Sequence, residues 1–260
     1  MLSALKIKKP NQVKEGIHAI LYGDPKSGKT STLDDPSMKV LLLDIEGGSA
    51  VLSDAENVDI VPIEKFEDLQ EVAKLLKKGV FIDEEGNEVP FNYGLVAIDS
   101  LTRLQDLVKD YIVRVYAPNR KREIQGKFGA QSDWGDFGLI IKDMVKFFHT
   151  LTKQGEKSIN VMWIAHKENV KDDITGGIVG TKIQMQGSSA NEIMSVVDAI
   201  FYMVKKDTEQ GLKFGVATRK MGSIEAGVRQ SKKEERLPDI IENPVWSEIF
   251  TKLGYKVALK

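Results

Sequence analysis

Short runs of consecutive apolar residues alternate along the chain with stretches in which apolar residues recur at helical spacing. Continuous apolar runs bounded by turn residues are typical of strands that are buried on both faces of a parallel sheet. Apolar positions three and four residues apart are typical of helices that pack one face against such a sheet. The pattern therefore predicts an α/β fold with a mostly parallel sheet, with strands at residues 17–22, 40–43, 58–62, 93–100 and 160–165 and flanking helices at residues 66–78, 101–116 and 134–152.

The last third of the chain has a different pattern. Residues 199–204 and 212–217 are typical of two antiparallel strands joined by a turn, and an earlier hairpin is predicted at residues 80–91. Residues 189–196 predict a helix, and a terminal helix that buries Trp246 and Phe250 is predicted at residues 245–253. Residues 167–188 are polar, contain four glycines and have no apolar period, so they predict a long loop.

The length of 260 residues suits one α/β domain with short appendages. We expect an N-terminal arm at residues 1–16, a core domain at residues 17–229, and a charged linker followed by a helix at residues 230–260. The arm is basic and polar, so it either contacts a neighbouring subunit or is a frayed terminus.

Composition excludes several classes of function. The formal net charge is −1, so any surface for nucleic acid must be a local one. The chain has no cysteine, which excludes disulfides, thiolate zinc sites and thiol catalysis. No apolar run approaches the length of a membrane span, and the first residues lack the apolar core of a signal peptide. We therefore expect a soluble, cytoplasmic protein with no membrane contact.

A phosphate-binding loop (P-loop) pattern, G-x-x-x-x-G-K-[ST], follows the first predicted strand. Its two glycines allow a tight turn in which backbone N–H groups converge on anionic oxygens, with the positive end of the next helix behind them. Lys29 would reach the β- and γ-phosphates, and the Thr30 hydroxyl would hold Mg²⁺. The pattern thus predicts ATP and Mg²⁺ as cofactors. The predicted nucleotide-binding residues are Gly23, Asp24, Pro25, Lys26, Ser27, Gly28, Lys29, Thr30 and Ser31.

Acidic residues end two of the predicted strands. Asp44 and Glu46 follow one apolar run, and Asp99 follows four apolar residues in the arrangement called Walker B. Ligands of doubly wound sheets bind at the carboxyl ends of the strands. Asp99 is therefore predicted to hold the magnesium shell together with Thr30. The alternative is that Asp99 or Ser100 is simply the N-cap of the next helix.

The order of these features resembles the RecA-like ATPases, and within them it looks most like the phage RecA-related single-strand annealing proteins, often described as AAA family ATPases. The resemblance runs from about residue 16 to residue 229. It includes Asp-Ile-Glu-Gly-Gly at residues 44–48, Asp-Trp-Gly at 133–135 and Thr-Arg-Lys at 218–220. It implies a RecA-like core and a DNA-stimulated ATPase that acts on single-stranded DNA in recombination. It also implies a homo-oligomer (a filament or ring), a single-strand DNA-binding protein as a partner and, for a phage protein, the host cytoplasm.

The resemblance also assigns catalytic roles. Glu46 matches the carboxylate that polarises the attacking water; a strand-end acid or an outer-shell magnesium partner is the alternative. His166 ends a strand where the family has a polar γ-phosphate sensor, and is otherwise an ordinary hydrogen-bonding residue. Arg219 and Lys220 lie where relatives have basic residues that reach a neighbour's ATP; a solvated strand end is the alternative. The predicted catalytic residues are therefore Glu46, Lys29, His166, Arg219 and Lys220.

Two predicted loops offer candidate DNA contacts. Residues 109–127 contain six basic residues against two acidic ones, a local excess of the kind that backbone binding needs. Aromatic residues nearby are available to stack on bases, although Trp134 at a helix start also suits the core. The predicted DNA-binding residues are Arg120, Lys121, Arg122, Lys127, Phe128, Lys171 and Lys182.

Other functions use the same loop. A nucleotide or small-molecule kinase would need a basic lid over a second substrate, and a nucleotide-gated DNA-packaging or binding module would bind ATP with little turnover. The chain has no separate DNA-binding domain of the recombinase type, so annealing or mediator activity is expected rather than strand exchange.

Overall fold

The computed structural model describes residues 14–83, 85–116, 131–187, 189–208, 211–231 and 236–259. A ten-stranded sheet runs through this part of the chain, and a two-stranded hairpin (β4 and β5) is separate from it. In chain order the strands are β1 His18–Gly23, β2 Val40–Asp44, β3 Val58–Pro62, β4 Val80–Ile82, β5 Glu88–Pro90, β6 Leu95–Asp99, β7 Val161–Lys171, β8 Ile178–Ile183, β9 Ala199–Thr208, β10 Gly211–Ala217, β11 Gly227–Val228 and β12 Ile240–Glu242.

Six neighbouring strands are parallel, in the order β3-β2-β6-β7-β1-β9. β10 and β12 extend the sheet antiparallel beyond β9, while β11 pairs with β9 and β8 pairs with β7. The registers place Gly23 beside His166 and Asp44 beside Asp99. The carboxyl ends of β1, β2, β6 and the buried part of β7 therefore meet at one edge. This topology confirms the predicted α/β class and the antiparallel strands near the C-terminus.

Helices cover both faces of the sheet. They are α1 Phe66–Lys78, α2 Leu101–Tyr111, α3 Gln131–Leu151, α4 Ser189–Val196 and α5 Trp246–Lys252, with a π-helical turn at Ile112–Tyr116 and 3₁₀ turns at Thr30–Leu33, Ser49–Leu52 and Gly155–Lys157. On one face, α1, α2 and α3 bury Leu69, Leu104 and Phe148. On the other, α5 buries Trp246 and Phe250 as predicted. None of the helices in the described ranges has the length and apolarity needed to span a bilayer.

The long loop predicted at residues 167–188 is wrong, because most of this segment is an antiparallel hairpin. β7 continues to Lys171, and β8 returns beside it. Ile174 is 94% exposed and Ile178 is 53% exposed, so the outer half of the ribbon lies in solvent on both faces. A strand that buries neither face needs no apolar period, which is why the residue pattern did not indicate one.

The helix expected after the P-loop is only a single 3₁₀ turn, Thr30–Leu33. Such a turn has a smaller aligned dipole than an α-helix, so it attracts an anion less strongly than the predicted helix would. Most of the predicted N-terminal arm lies outside the described residues. At its inner end, Glu15 accepts hydrogen bonds from the Gly155 N–H at 2.7 Å and the Ser158 hydroxyl at 3.1 Å, within the same chain.

A buried histidine begins β1, the strand that leads into the P-loop. Trp163 Nε1 donates to His18 Nε2 at 2.8 Å, so the proton of His18 is on Nδ1. His18 Nδ1 then donates to His149 Nδ1 at 3.1 Å. Burial, together with the charges of His149 and Lys153, lowers the pKa of His18 to about 3. The folded protein therefore holds this imidazole in its neutral form.

Acid is expected to destabilise the protein through His18. The unfolded chain takes up a proton near the ordinary pKa of 6.5, whereas the folded chain does so only near pH 3. Stability is thus fully present above pH 6.5 and is lost as the pH falls, by about 2 kcal/mol between pH 7 and pH 5 from this group. Urea unfolding of the wild type and of His18→Gln at both pH values measures the loss. The variant should lose less, and an equal loss in the two proteins would contradict the assignment.

Candidate functional site

A cavity of about 420 Å³ opens at the carboxyl edge of the sheet, beside the end of β1. Its P-loop wall is tightly turned: Lys26 has a φ of 59° and Gly28 a φ of 87°. A Cβ at Gly28 would also stand 3.1 Å from the Phe214 ring, so glycine is required there. The cavity is lined by Lys26, Ser27, Gly28, Lys29, Thr30, Ser31, Glu46, Gly48, Val51, Asp99, His166 and Phe214. The structure thus brings the P-loop, Glu46, Asp99 and His166 together.

Three of the predicted nucleotide-binding residues do not line this cavity. Gly23 ends β1, where a Cβ would stand 3.0 Å from Met203 Cβ. Asp24 and Pro25 are exposed at the outside of the loop. Asp24 instead forms an ion pair with Lys167 at 2.9 Å, and this hydrogen-bonded partner raises the pKa of Lys167. The pair ties the P-loop to β7.

The P-loop has the features of an anion site. Lys29 is only 6% exposed, and its ammonium group donates to the Asp24 carbonyl at 2.7 Å. Burial lowers the pKa of Lys29, and the nearby charges of Asp99, Glu46 and Asp24 oppose that shift. Ser27 Oγ is buried and has no hydrogen-bond partner among the described residues. A buried polar atom without a partner suits a site whose ligand supplies one, so the loop fits a polyphosphate.

Thr30 and Asp99 lie together on the same side of the cavity. The Thr30 hydroxyl donates to Asp99 Oδ2 at 2.6 Å. Burial raises the pKa of Asp99 to about 6, although the Thr30 hydrogen bond opposes this. The N-cap of α2 is Ser100, whose hydroxyl accepts from the Arg103 N–H at 3.2 Å, so Asp99 is not needed as the cap. Hydroxyl and carboxylate oxygens are the hard ligands that Mg²⁺ prefers, and this pair fits that ion.

A rigid turn after β2 positions Glu46. The Asp44 carboxylate accepts from the N–H groups of Glu46 at 3.2 Å, Gly47 at 2.7 Å and Ser49 at 3.2 Å. The Asp99 carbonyl accepts from the Glu46 N–H at 3.0 Å, which fastens the turn to β6. Asp44 therefore has a structural role, and the next acid, Glu46, is the one that faces the cavity.

Glu46 and His166 are bonded to each other. His166 Nε2 lies 2.8 Å from Glu46 Oε1. This hydrogen bond, helped by Ser100 and by the charge of Lys29, lowers the pKa of Glu46 to about 2 against the effect of desolvation. The His166 N–H donates to the Thr102 hydroxyl at 3.0 Å, while His166 Nδ1 is buried with no hydrogen-bond partner in the described ranges. The two residues form one unit facing Lys29.

The remaining predicted residues lie elsewhere. Arg219 and Lys220 do not line the P-loop cavity; they are exposed and form ion pairs with Asp239 and Glu225. Lys171 is exposed at the end of β7. Lys182 lies 3.8 Å from Glu168 and lines a separate polar cavity at the base of the hairpin. Arg120, Lys121, Arg122, Lys127 and Phe128 lie outside the described residues, as does the side chain of Trp134.

Sequence reasoning did not predict three of the residues that line the cavity, Gly48, Val51 and Phe214. Phe214 lies on β10, far along the chain from the P-loop. Nothing in its local pattern distinguishes it from a core aromatic of an antiparallel strand. Only the pairing of β10 beside β9, two strands from β1, brings its ring over the P-loop.

One comparison with known proteins shows the family of this chain. A protein-family model described as an AAA domain (AAA_24) matches residues 15–230. Among solved structures, the RadB recombinase is similar at 16% identity with a TM-score of 0.37, over 79% of this chain and 81% of that one. A likeness at that level supports no conclusion about this chain. A search of the curated proteins finds no match. Because the family model spans well over half of the sequence, the chain belongs to the AAA domain family of P-loop ATPases.

Proposed function

We propose that this protein hydrolyses ATP to ADP and phosphate at the P-loop cavity. The observation that carries the proposal is the Glu46–His166 hydrogen bond of 2.8 Å within the cavity that Lys29, Thr30 and Asp99 also line. Hydrolysis of a phosphoanhydride needs charge stabilisation and an oriented water, and this set offers a group for each task.

Each side chain has a role in that reaction. Lys29 and the loop N–H groups bind and orient the phosphates. Thr30 and Asp99 would hold Mg²⁺, which supplies neutralisation of phosphate charge when bound. Glu46 accepts a hydrogen bond from the attacking water and takes its proton as the new oxygen–phosphorus bond forms and the bond to ADP breaks. His166 holds the Glu46 carboxylate in place, as a positioning residue.

We further propose that the ATPase acts on single-stranded DNA in phage-type recombination, as an annealing or mediator protein. In this proposal it assembles as a homo-oligomer, meets a single-strand DNA-binding protein, and works in the cytoplasm. Support comes from the resemblance to RecA-related annealing proteins and from β7. That strand contains His166 at the cavity and continues into the hairpin with β8, which has Lys171 exposed at the end of β7 and the partly exposed Lys182 near its base. In an oligomer, Arg219 and Lys220 would be available to a neighbour's phosphates.

Single-stranded DNA is expected to stimulate ATP hydrolysis, and stimulation should weaken as salt rises. In the double variant Lys171→Ala/Lys182→Ala, DNA should bind more weakly because two cations of the hairpin are gone. The log–log salt slope of binding should fall by about 1.4, or about 0.7 for each lost phosphate contact. Fluorescence anisotropy with a labelled oligonucleotide, alongside a steady-state ATPase assay, measures both effects.

The matched control replaces two exposed lysines on α1, Lys74→Ala/Lys77→Ala, which should leave DNA binding unchanged. Equal weakening by the two double variants would mean that the hairpin is not a specific contact. A wild-type rate indifferent to DNA, with no binding at low salt, would overturn the DNA proposal. A nucleotide kinase or a nucleotide-gated module would then be the better hypothesis.

A further inference from the structure

Residues 231–260 lie beyond the family match, yet part of this segment returns to the P-loop. β12 pairs with β10 at the end of the sheet. In α5, Trp246 Nε1 donates to the Thr32 hydroxyl at 3.1 Å. The Ser247 N–H and hydroxyl donate to the buried Asp35 carboxylate at 2.7 and 3.0 Å. The C-terminal segment is thus fixed directly against the residues that follow the phosphate-binding turn.

A second cavity, of about 320 Å³, lies between these two parts of the chain. Gly28 and Ser31 of the P-loop form one side, and residues 243–245 form the other. Phe214 borders both this cavity and the P-loop cavity, and so do Gly28 and Ser31. The two cavities therefore adjoin, with the Phe214 ring at their junction.

The sheet order decides which end of a nucleotide faces this junction. On one side of β1 lie β7, β6 and β2, which position His166, Asp99 and Glu46. On the other side lie β9, β10 and β12, and β10 contributes Phe214. If the γ-phosphate of a nucleoside triphosphate lies beside Glu46 and Asp99, its α-phosphate lies toward Ser31 and Phe214. The rest of the nucleotide then enters the second cavity.

The chemistry of the second cavity suits an uncharged group. The described residues that line it include Asp34 and no lysine or arginine, so a phosphate chain would be repelled there. The Phe214 ring offers an apolar face on which a base can stack. The Asn243 amide offers both a donor and an acceptor to a base edge. Asn243 is held in a left-handed conformation, with φ 46°, and its N–H donates to the Phe214 carbonyl at 3.0 Å.

We propose that this cavity, closed by the C-terminal segment outside the family domain, binds the ribose and base of the nucleoside triphosphate held at the P-loop. The inference rests on the proposed ATPase function and adds the residues that recognise the nucleoside. Phe214 stacks on the base, Asn243 hydrogen-bonds its edge, and Asp34 accepts hydrogen bonds from the ribose hydroxyls.

Binding of two magnesium-loaded probes to the full chain tests the proposal: ATP, and inorganic tripolyphosphate, which has the phosphates alone. Wild type should bind ATP more tightly than tripolyphosphate. Asn243→Gly keeps the positive φ accessible and removes the amide; it should weaken ATP about five- to tenfold and leave tripolyphosphate within about twofold. The matched control is Asn92→Gly, an exposed asparagine that lines neither cavity, which should change neither affinity.

Photolabelling of the wild type with 8-azido-ATP gives a second readout that needs no variant. The covalent adduct should map to Phe214 or to residues 243–245, and excess ATP should protect against it. The assignment would be overturned if Asn243→Gly weakened the binding of both probes equally or of neither. It would also be overturned if the ATP-protected adduct mapped only to other residues. If the wild type binds neither probe, the ATPase proposal itself fails. If it binds both equally well, the phosphate site stands and the proposed nucleoside cavity is overturned.

Discussion

Replacing Glu46 with glutamine is expected to lower kcat for ATP hydrolysis about 100- to 1,000-fold, with the Kd for ATP changed less than about threefold. The amide keeps the size of the side chain and can still accept a hydrogen bond from His166, so the cavity keeps its shape. It cannot take a proton from the attacking water. Steady-state turnover and fluorescent-nucleotide binding measure the two quantities separately.

The control for this prediction is Glu56→Gln, the same change at an exposed acid that does not line the cavity. It should turn over ATP at the wild-type rate. A Glu46→Gln protein with unchanged kcat would show that Glu46 does not act on the water and is a strand-end acid. Loss of nucleotide binding together with turnover would instead indicate a magnesium-shell role.

Replacing Lys29 with alanine is expected to weaken ATP binding about 100-fold, because charge-assisted contacts to phosphate are lost. Among the described lining residues, the change also leaves Lys26 as the only lysine beside Glu46 and Asp99. The cavity then repels the phosphates that it previously attracted. Isothermal titration with ATP in the presence of Mg²⁺ measures the loss.

Lys26→Gly is the matched control, since it removes the other P-loop lysine at a position whose φ of 59° glycine adopts readily. Lys26 is exposed, so its loss should weaken ATP by less than about threefold. Thermal unfolding of both variants verifies that they are folded. An equal effect of the two substitutions would mean that the loop acts by net charge rather than through the buried Lys29 ammonium.

The parallel strands and the P-loop were predictable from the sequence because each of them is formed by consecutive residues. β1, β2 and β6 are buried on both faces, so each is a continuous apolar run. Their ends then place the acids at one edge by the rule for parallel sheets. The sequence left Asp99 and Ser100 as the two candidates for the N-cap of α2. Only the side-chain geometry showed that Ser100 is the cap.

Features that depend on pairing between distant segments were not predictable in this way. The Glu46–His166 bond requires β2 and β7 to lie on either side of β6, which no local pattern specifies. The β7–β8 hairpin was predicted to be a loop because its outer half is solvated on both faces. Phe214 meets the P-loop only because β10 follows β9 in the sheet, and an aromatic in an alternating strand otherwise indicates core.

The attachment of α5 to the P-loop region also bears on how the molecule is divided. The match to the family domain stops at residue 230, but Trp246 and Phe250 fill the apolar cluster beneath the loop. A chain cut at the family boundary would expose that cluster to water and would leave the buried Asp35 carboxylate without its Ser247 donors. We therefore expect the smallest piece that folds with its phosphate loop intact to be longer than the domain that defines the family, and deletion series or domain fusions should retain everything through α5.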